Sequence, residues 1–438
     1  MNNTIKICRF QNSRRTFCQI RTVVVLAVLL LSNQIFAAGI LDTTFGTGGR
    51  VVFRYQPTSN DMVGAAALQP DGKIVLAGKT TYNQNFTILT DLSITRLNPD
   101  GSLDTTFGTG GWVLTSFGGA SIETNLASAV VILPGGKILA GGAGGVFMAL
   151  ARYNPDGSLD TTFDGDGKVT TAFDGGSGES AEFLLPQADG KVIAAGSMFG
   201  NSGGPQRLII LARYNVDGSL DPTFGDGGKY TLSFSGIINN LHGAAIQPDG
   251  KILLSGSYVT TRPNCTPTKT NNCSETRHFL NRYDQQMRQD KKFGWHGKIL
   301  NSRDYFTDLS ITPDGRILVG GKPRARRYGF SGWVETLYEP IPRPPNTFSI
   351  DGAFQLKQRP NGTVAGCDYG GLGGDFAVAL FGADGRYIGS DERDFAGTND
   401  ACWFTLIQAD GKILAVGRSS QQGSLMSFAV TRYLDIIP

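Results

Sequence analysis

The sequence predicts an all-β chain: a seven-bladed β-propeller with four-stranded antiparallel blades, its ring closed by an N-terminal strand that completes the last blade. Three observations lead there. The segment "QPDGKIVLAG" from Gln69 returns in related form from Leu133, Gln187, Gln247, Thr312, Arg359 and Gln408. A second segment, "RLNPDGSLDTTFGTGG" from Arg96, returns from Arg152 and Arg213 and, worn, from Arg282, Arg327 and Leu380. Finally, one unit is split between the two ends. "GILDTTFGTGGRVVFRY" from Gly39 reads as a last strand, and "FAVTRYLDIIP" from Phe428 stops after a third strand.

The second turn residues of the copies (Asp71, Gly135, Asp189, Asp249, Asp314, Asn361, Asp410) are 64, 54, 60, 65, 47 and 49 residues apart, which suits one four-stranded sheet per unit. Blades are expected to begin near residues 61, 123, 179, 239, 304, 350 and 400, with residues 41–55 completing the last, in a single domain over 39–438. In the first unit the strands fall at Met62–Gln69, Lys73–Thr80, Leu92–Asn98 and Leu103–Phe117. "PDGK" and "PDGS" are hairpin turns, because Pro presets φ, Asp bonds its own backbone and Gly accepts φ > 0. "KIVLAG" is apolar on consecutive positions, so both faces of that strand must be dry. Stacked sheets supply two dry faces, in an open solenoid or a closed ring, and the split unit selects the ring. The segments quoted above resemble the bacterial delta-60 repeat family, over about Leu41 to Leu434. That resemblance implies a propeller of exported, often multi-domain bacterial surface proteins, and it implies no activity.

Residues 1–37 read as a signal peptide: Lys6, Arg9, Arg14, Arg15 and Arg21, an apolar run Val23 to Leu31, and small residues up to Ala37. That run is too short for a membrane span, which needs about 20 residues; a retained anchor is the alternative. "SRRTFCQ" from Ser13 resembles a twin-arginine signal but lacks its Leu-Lys ending, so the general secretory route is favoured. The chain is expected in the periplasm or outside the cell, with no transmembrane span after signal removal. Without those five basic residues, 35 basic stand against 37 acidic residues, which leaves no nucleic-acid footprint. The mature cysteines are Cys265, Cys273, Cys367 and Cys402, and export favours disulfides. Of three pairings, Cys265–Cys273 closes a short loop and leaves Cys367–Cys402; four reduced thiols are the alternative.

Three histidines, His242, His278 and His296, lie at different phases of the repeat, and no metal, nucleophile-elbow or phosphate-loop motif occurs. Neither a catalytic set nor a cofactor is therefore expected. Arg96, Arg152, Arg213, Arg282, Arg327 and Arg432 head the third-strand ends, and Asp42, Asp104, Asp160, Asp221 and Asp290 recur in "LDTTF"-like segments. Recurrence in blade after blade reads as an architectural lock. "KPRARRY", Lys322 to Tyr328, reads as a solvated loop, or as a contact for an anionic partner. The "PDGK" and "PDGS" turns share one face, whose uniformity suggests it is inert. The other connections vary in length and open on the opposite face, where a ligand is expected. Candidate contacts there are Tyr82, Phe86, Phe199, Tyr258, Arg262, Asp368 and Tyr369. The expected function is a non-catalytic binding or scaffold propeller, a monomeric ring with a protein or glycan partner; the alternative is a glycan hydrolase or lyase using the same face.

Overall fold

Seven apolar clusters, each between two successive sheets, organise the computed structural model of this protein. It describes residues 39–436 apart from 85–86, 119–124, 175, 201–206, 235–237, 263–264, 266–272, 302–304, 323, 339–353, 370–375, 394, 396–399 and 422–424. The segment read as a signal peptide lies outside the described residues. The fold is a seven-bladed β-propeller of four-stranded antiparallel blades.

Blade 1 comprises Asn60–Leu68, Ile74–Gln84, Thr87–Leu97 and Trp112–Thr115. Blade 2 follows with Leu126–Ile132, Ile138–Gly144, Phe147–Tyr153 and Lys168–Thr171, and blade 3 with Gly176–Pro186, Val192–Gly200, Arg207–Tyr214 and Lys229–Leu232. Blade 4 holds Ile238–Ile246, Ile252–Thr261, Ser274–Tyr283 and Lys298–Asn301; blade 5 holds Tyr305–Ile311, Ile317–Lys322, Arg326–Tyr328 and Val334–Leu337. Blade 6 is Phe354–Gln358, Val364–Tyr369, Phe376–Phe381 and Tyr387–Arg393. Blade 7 takes Ala401–Ile407, Ile413–Gln421 and Leu425–Ile436 from the C-terminal end, and Arg50–Phe53 pairs antiparallel with the last of these as its fourth strand.

The sequence explains the stacking. In the second strand of blade 1, Ile74, Val75, Leu76 and Ala77 are all fully buried, so both faces are covered. The seam between blades 7 and 1 is filled like the others: Val63, Ile74 and Leu76 of blade 1 pack against Phe45, Leu414, Val416, Phe428 and Val430 of blade 7. Trp112 stacks on Phe428 with centroids 5.5 Å apart.

Two features of the repeat were not foreseen. The fourth strand is short, Trp112–Thr115 rather than Leu103–Phe117. Asp104 accepts from the Thr106 N–H and hydroxyl, and Gly108, Gly110 and Gly111 have positive φ, so "LDTTFGTGG" is a tight loop and not a strand. The first strand of blade 1 also carries a bulge between Val63 and Ala65. A Cβ on Gly78 would lie 1.8 Å from the Met62 carbonyl oxygen, which is why "KIVLAG" must end in glycine.

Candidate functional site

The recurring charges form a latch at the foot of each well-preserved blade. Arg96 bonds Asp104 at 2.7 Å, Arg152 bonds Asp160 at 2.6 Å and Arg213 bonds Asp221 at 2.7 Å. Arg282 meets Asp290 at 2.9 Å, and Arg432 meets Asp42 at 2.9 Å across the two ends of the chain. Each guanidinium also lies over a phenylalanine, as Arg96 does over Phe107 at 4.4 Å. It then donates to a turn carbonyl of the next blade: Arg96 to Pro155 at 2.6 Å, Arg213 to Gln285 at 2.8 Å, and Arg152, Arg282 and Arg432 to Val216, Phe330 and Pro99. Arg327 has no such aspartate; it reaches Glu335 at 3.8 Å and the Ala383 carbonyl at 3.3 Å.

The lysine of "PDGK" completes the latch, a role its sequence context did not reveal. Lys73 bonds Asp104 at 2.8 Å, Lys137 bonds Asp160 at 2.6 Å and Lys191 bonds Asp221 at 2.8 Å. Burial alone would raise the pKa of Asp104, but the hydrogen bonds from Lys73, Thr106 and Arg96 outweigh it and hold the carboxyl well below the usual carboxylate range. Asp160 and Asp221 are lowered by the same arrangement. A depressed folded-state pKa contributes stability that is complete above the unfolded value of about 4 and lost as pH falls through the folded value. The urea midpoint should therefore fall steadily below about pH 4, and Asp104→Asn should flatten that fall; a midpoint unchanged between pH 5 and 3 would contradict the latch.

Both cysteine pairs are disulfides. Cys265–Cys273, with Cα atoms 5.7 Å apart, closes the insert between the second and third strands of blade 4. Cys367–Cys402, with Cα atoms 5.5 Å apart, staples blade 6 to blade 7. Such bonds belong to an oxidising, extracytoplasmic environment. Replacing Cys367 and Cys402 by alanine is expected to cost about 2–4 kcal/mol in urea unfolding; an unchanged midpoint would show that the staple bears no strain of unfolding.

On the variable face the predicted contacts diverge. Tyr82 is engaged internally, its hydroxyl donating to Asp91 at 2.8 Å and its ring 5.6 Å from that of Tyr55. Tyr258 is buried rather than exposed, because it stacks on Phe234 at 5.1 Å and packs against Phe279. Arg262 is exposed at the base of the disulfide insert, its N–H donating to the Cys273 carbonyl at 2.8 Å. Phe86 lies outside the described residues, as do the side chains of Asp368 and Tyr369, which end a strand of blade 6. Phe199 is 58% exposed, with the Arg207 guanidinium 5.9 Å from its ring centroid.

Phe199 leads to a polar cluster that the sequence reading overlooked. The Arg207 guanidinium meets Glu182 at 3.1 Å and donates to Ser197 at 2.7 Å, while Ser197 donates to Glu182. Burial raises the Glu182 pKa, and the bonds from Ser197 and Arg207 only partly offset this. Across the seam, burial lowers the pKa of His242, partly countered by its bond to the Phe306 carbonyl. Its Nδ1 must donate to that carbonyl, which leaves Nε2 to accept from Ser257 at 3.2 Å. Ser257 is buried and His242 half-buried, so the pair lies beneath the surface of this seam. Glu182 and His242 are the bulge residues of blades 3 and 4, seven positions before the second turn residue. Gly64, Ser128, Thr307, Phe354 and Trp403 stand there in the other copies, so comparing copies at that phase would have exposed the pair. Among the described residues no group of His, Cys, Asp and Glu is arranged to hold a metal ion, and no helix is long and apolar enough to cross a membrane.

Three segments, residues 69–107, 133–163 and 187–224, match a family described as "Domain of unknown function (DUF5122) beta-propeller". No curated protein matches the chain. Among solved structures, puromycin hydrolase is similar over 82% of this chain at 14% identity and a TM-score of 0.47, and this chain spans only 50% of its length. A protein of unknown function from Dyadobacter fermentans DSM 18053 is 13% identical over 89% of this chain and 98% of its own, with a TM-score of 0.44. Polysaccharide lyase Uly1 is 10% identical over 91% of this chain and 97% of its own, with a TM-score of 0.47. None of these likenesses supports an assignment of activity.

Proposed function

We propose that this chain is an exported, non-catalytic binding propeller of the delta-60 repeat kind, carried out of the cytoplasm by residues 1–37 through the general secretory route. Its protein or glycan partner is held on the variable-loop face at the seam of blades 3 and 4. The observation that carries the reading is the exposed Phe199 beside the part-exposed Arg207 and Glu182, in a fold whose repeated charges are otherwise spent in the latches. The two disulfides support the compartment.

A glycan array combined with hydrolase and lyase assays on the exported chain tests this. Binding without turnover is expected, weakened about tenfold in Phe199→Ala and Arg207→Ala at unchanged melting temperature. The enzymatic alternative draws on one observation, the raised pKa of a part-exposed Glu182, which suits a general acid. Turnover that Glu182→Gln abolishes would replace the binding reading by a glycan hydrolase or lyase.

A further inference from the structure

The face that carries the repeated turns ceases to be uniform at the seam of blades 4 and 5. There Trp295 and Trp333 are 73% and 65% exposed, and Phe330 is 54% exposed. The repeat gives no reason for these rings. Trp295 stands where the better-preserved copies have Thr47 and Thr109, Trp333 where they have Ser102, Ser158 and Ser219, and Phe330 where they have Pro99 and Pro155.

The two tryptophan-bearing turns are held side by side and are already ordered. The Gly294 N–H donates to the Ser331 carbonyl at 2.8 Å across the seam. Within the turns, the Trp295 N–H donates to Lys298 at 2.9 Å, and the Gly329 N–H donates to the Trp333 carbonyl at 3.0 Å. His296 lies beside Trp295 with ring centroids 5.2 Å apart. Its backbone is left-handed, φ 54°, at a position given to Gly110 and Gly48 elsewhere, where a side chain meets nothing but solvent. A non-glycine residue kept in that conformation is an uncommon choice, and the one ring it meets is the exposed Trp295.

The charge of this patch is one-sided. Lys291 and Lys292 replace the paired threonines of "DTTF", and both are exposed. Among the described residues neither they nor Lys298 has an ion-pair partner. The acids nearby are taken: Asp290 by Arg282, Asp284 by Arg288 and Glu335 by Arg316.

We propose that this seam is a binding platform for an anionic, uronate-bearing polysaccharide. Flat, exposed indole rings offer apolar faces to the C–H faces of sugar rings, and fixed turns lose little freedom on binding. The unpaired lysines and His296 meet the carboxylates, and a polymer can lie across both turns at once. The turns are tied to one another and closed within themselves by backbone bonds, which holds the rings in place for stacking on a polymer. This site is separate from the one proposed on the variable face.

Affinity electrophoresis of the whole exported chain through gels holding polygalacturonate tests it, with neutral galactan as the control polymer and phosphatidylglycerol vesicles as a competing surface. Two variants restore what other blades carry and so keep the fold, which thermal melting checks: Trp295→Thr with Trp333→Ser, and Lys291→Thr with Lys292→Thr. Polygalacturonate should retard the parent chain, and its dissociation constant should rise about tenfold in the tryptophan variant and several-fold in the lysine variant. Added salt should weaken the binding. Phe199→Ala with Arg207→Ala should leave it intact, which separates this platform from the variable-face site. The proposal is overturned by absent retardation, by equal retardation in galactan, by undiminished binding in the tryptophan variant, or by stronger capture on the vesicles.

Discussion

Arg432→Ala is expected to lower the unfolding free energy by about 3–5 kcal/mol, among the largest effects of any single polar substitution in this fold. The side chain is 7% exposed, and it joins Asp42, the Thr44 hydroxyl and the Pro99 carbonyl. Its removal leaves the buried Asp42 carboxylate without its closest cation, held only by the Thr44 N–H and hydroxyl and by Lys412 at 3.6 Å. It also cuts a bond from blade 7 to a turn of blade 1. Arg152→Ala removes the same bonds in mid-chain, to Asp160, Thr162 and Val216, and is expected to cost a similar amount. Urea unfolding of both variants measures this. A melting temperature unchanged by Arg152→Ala would refute the latch.

Gly157→Val is the second large effect, at about 3–5 kcal/mol. Its φ is +92°, so any Cβ is strained there. The added atom would also lie 2.8 Å from the Gly108 backbone nitrogen and 3.0 Å from the Phe107 ring, both in the preceding blade. This turn glycine is therefore a docking surface between blades as well as a bend within one. A Cβ on the equivalent Gly101 would lie 2.9 Å from both Phe45 and Val51, so the same substitution at residue 101 tests the closing seam. Gly110→Val is the control: its φ is +61° but nothing lies within reach, so only the strain is felt, about 1–2 kcal/mol. Equal losses at Gly157 and Gly110 would show that the close approach contributes nothing.

Much of this architecture was legible because a repeat averages away local ambiguity. One copy of "QPDGKIVLAG" reads as a turn and a strand; seven copies with a split unit read as a ring. Two roles stayed hidden. Lys73 and its counterparts stand two residues after the turn aspartate, and only folding brings them to the aspartate of "LDTTF", 31 residues away in blade 1. The short fourth strand was hidden as well, since "LDTTFGTGG" looks extended until Asp104 is seen to bind its own backbone. The site was less legible because function lies where copies differ, and a difference has meaning only at aligned phases. Glu182 and His242 are ordinary residues until placed at the bulge beside Gly64 and Ser128. Tyr258 was misplaced for a related reason: its partners Phe234 and Phe279 come from the connection before the blade and from the adjacent strand.

Amide hydrogen exchange along Leu425–Ile436 tests ring closure most directly, in the whole chain and in a chain lacking residues 39–55. Phe53, Val52, Val51 and Arg50 pair with Phe428, Ala429, Val430 and Thr431, and Asp42 holds Arg432 from the same segment. Without the segment, protection of residues 428–432 should fall to the level of local opening, and the melting transition should move down with it. Protection and melting unchanged by the deletion would contradict a ring fastened by its N-terminal strand.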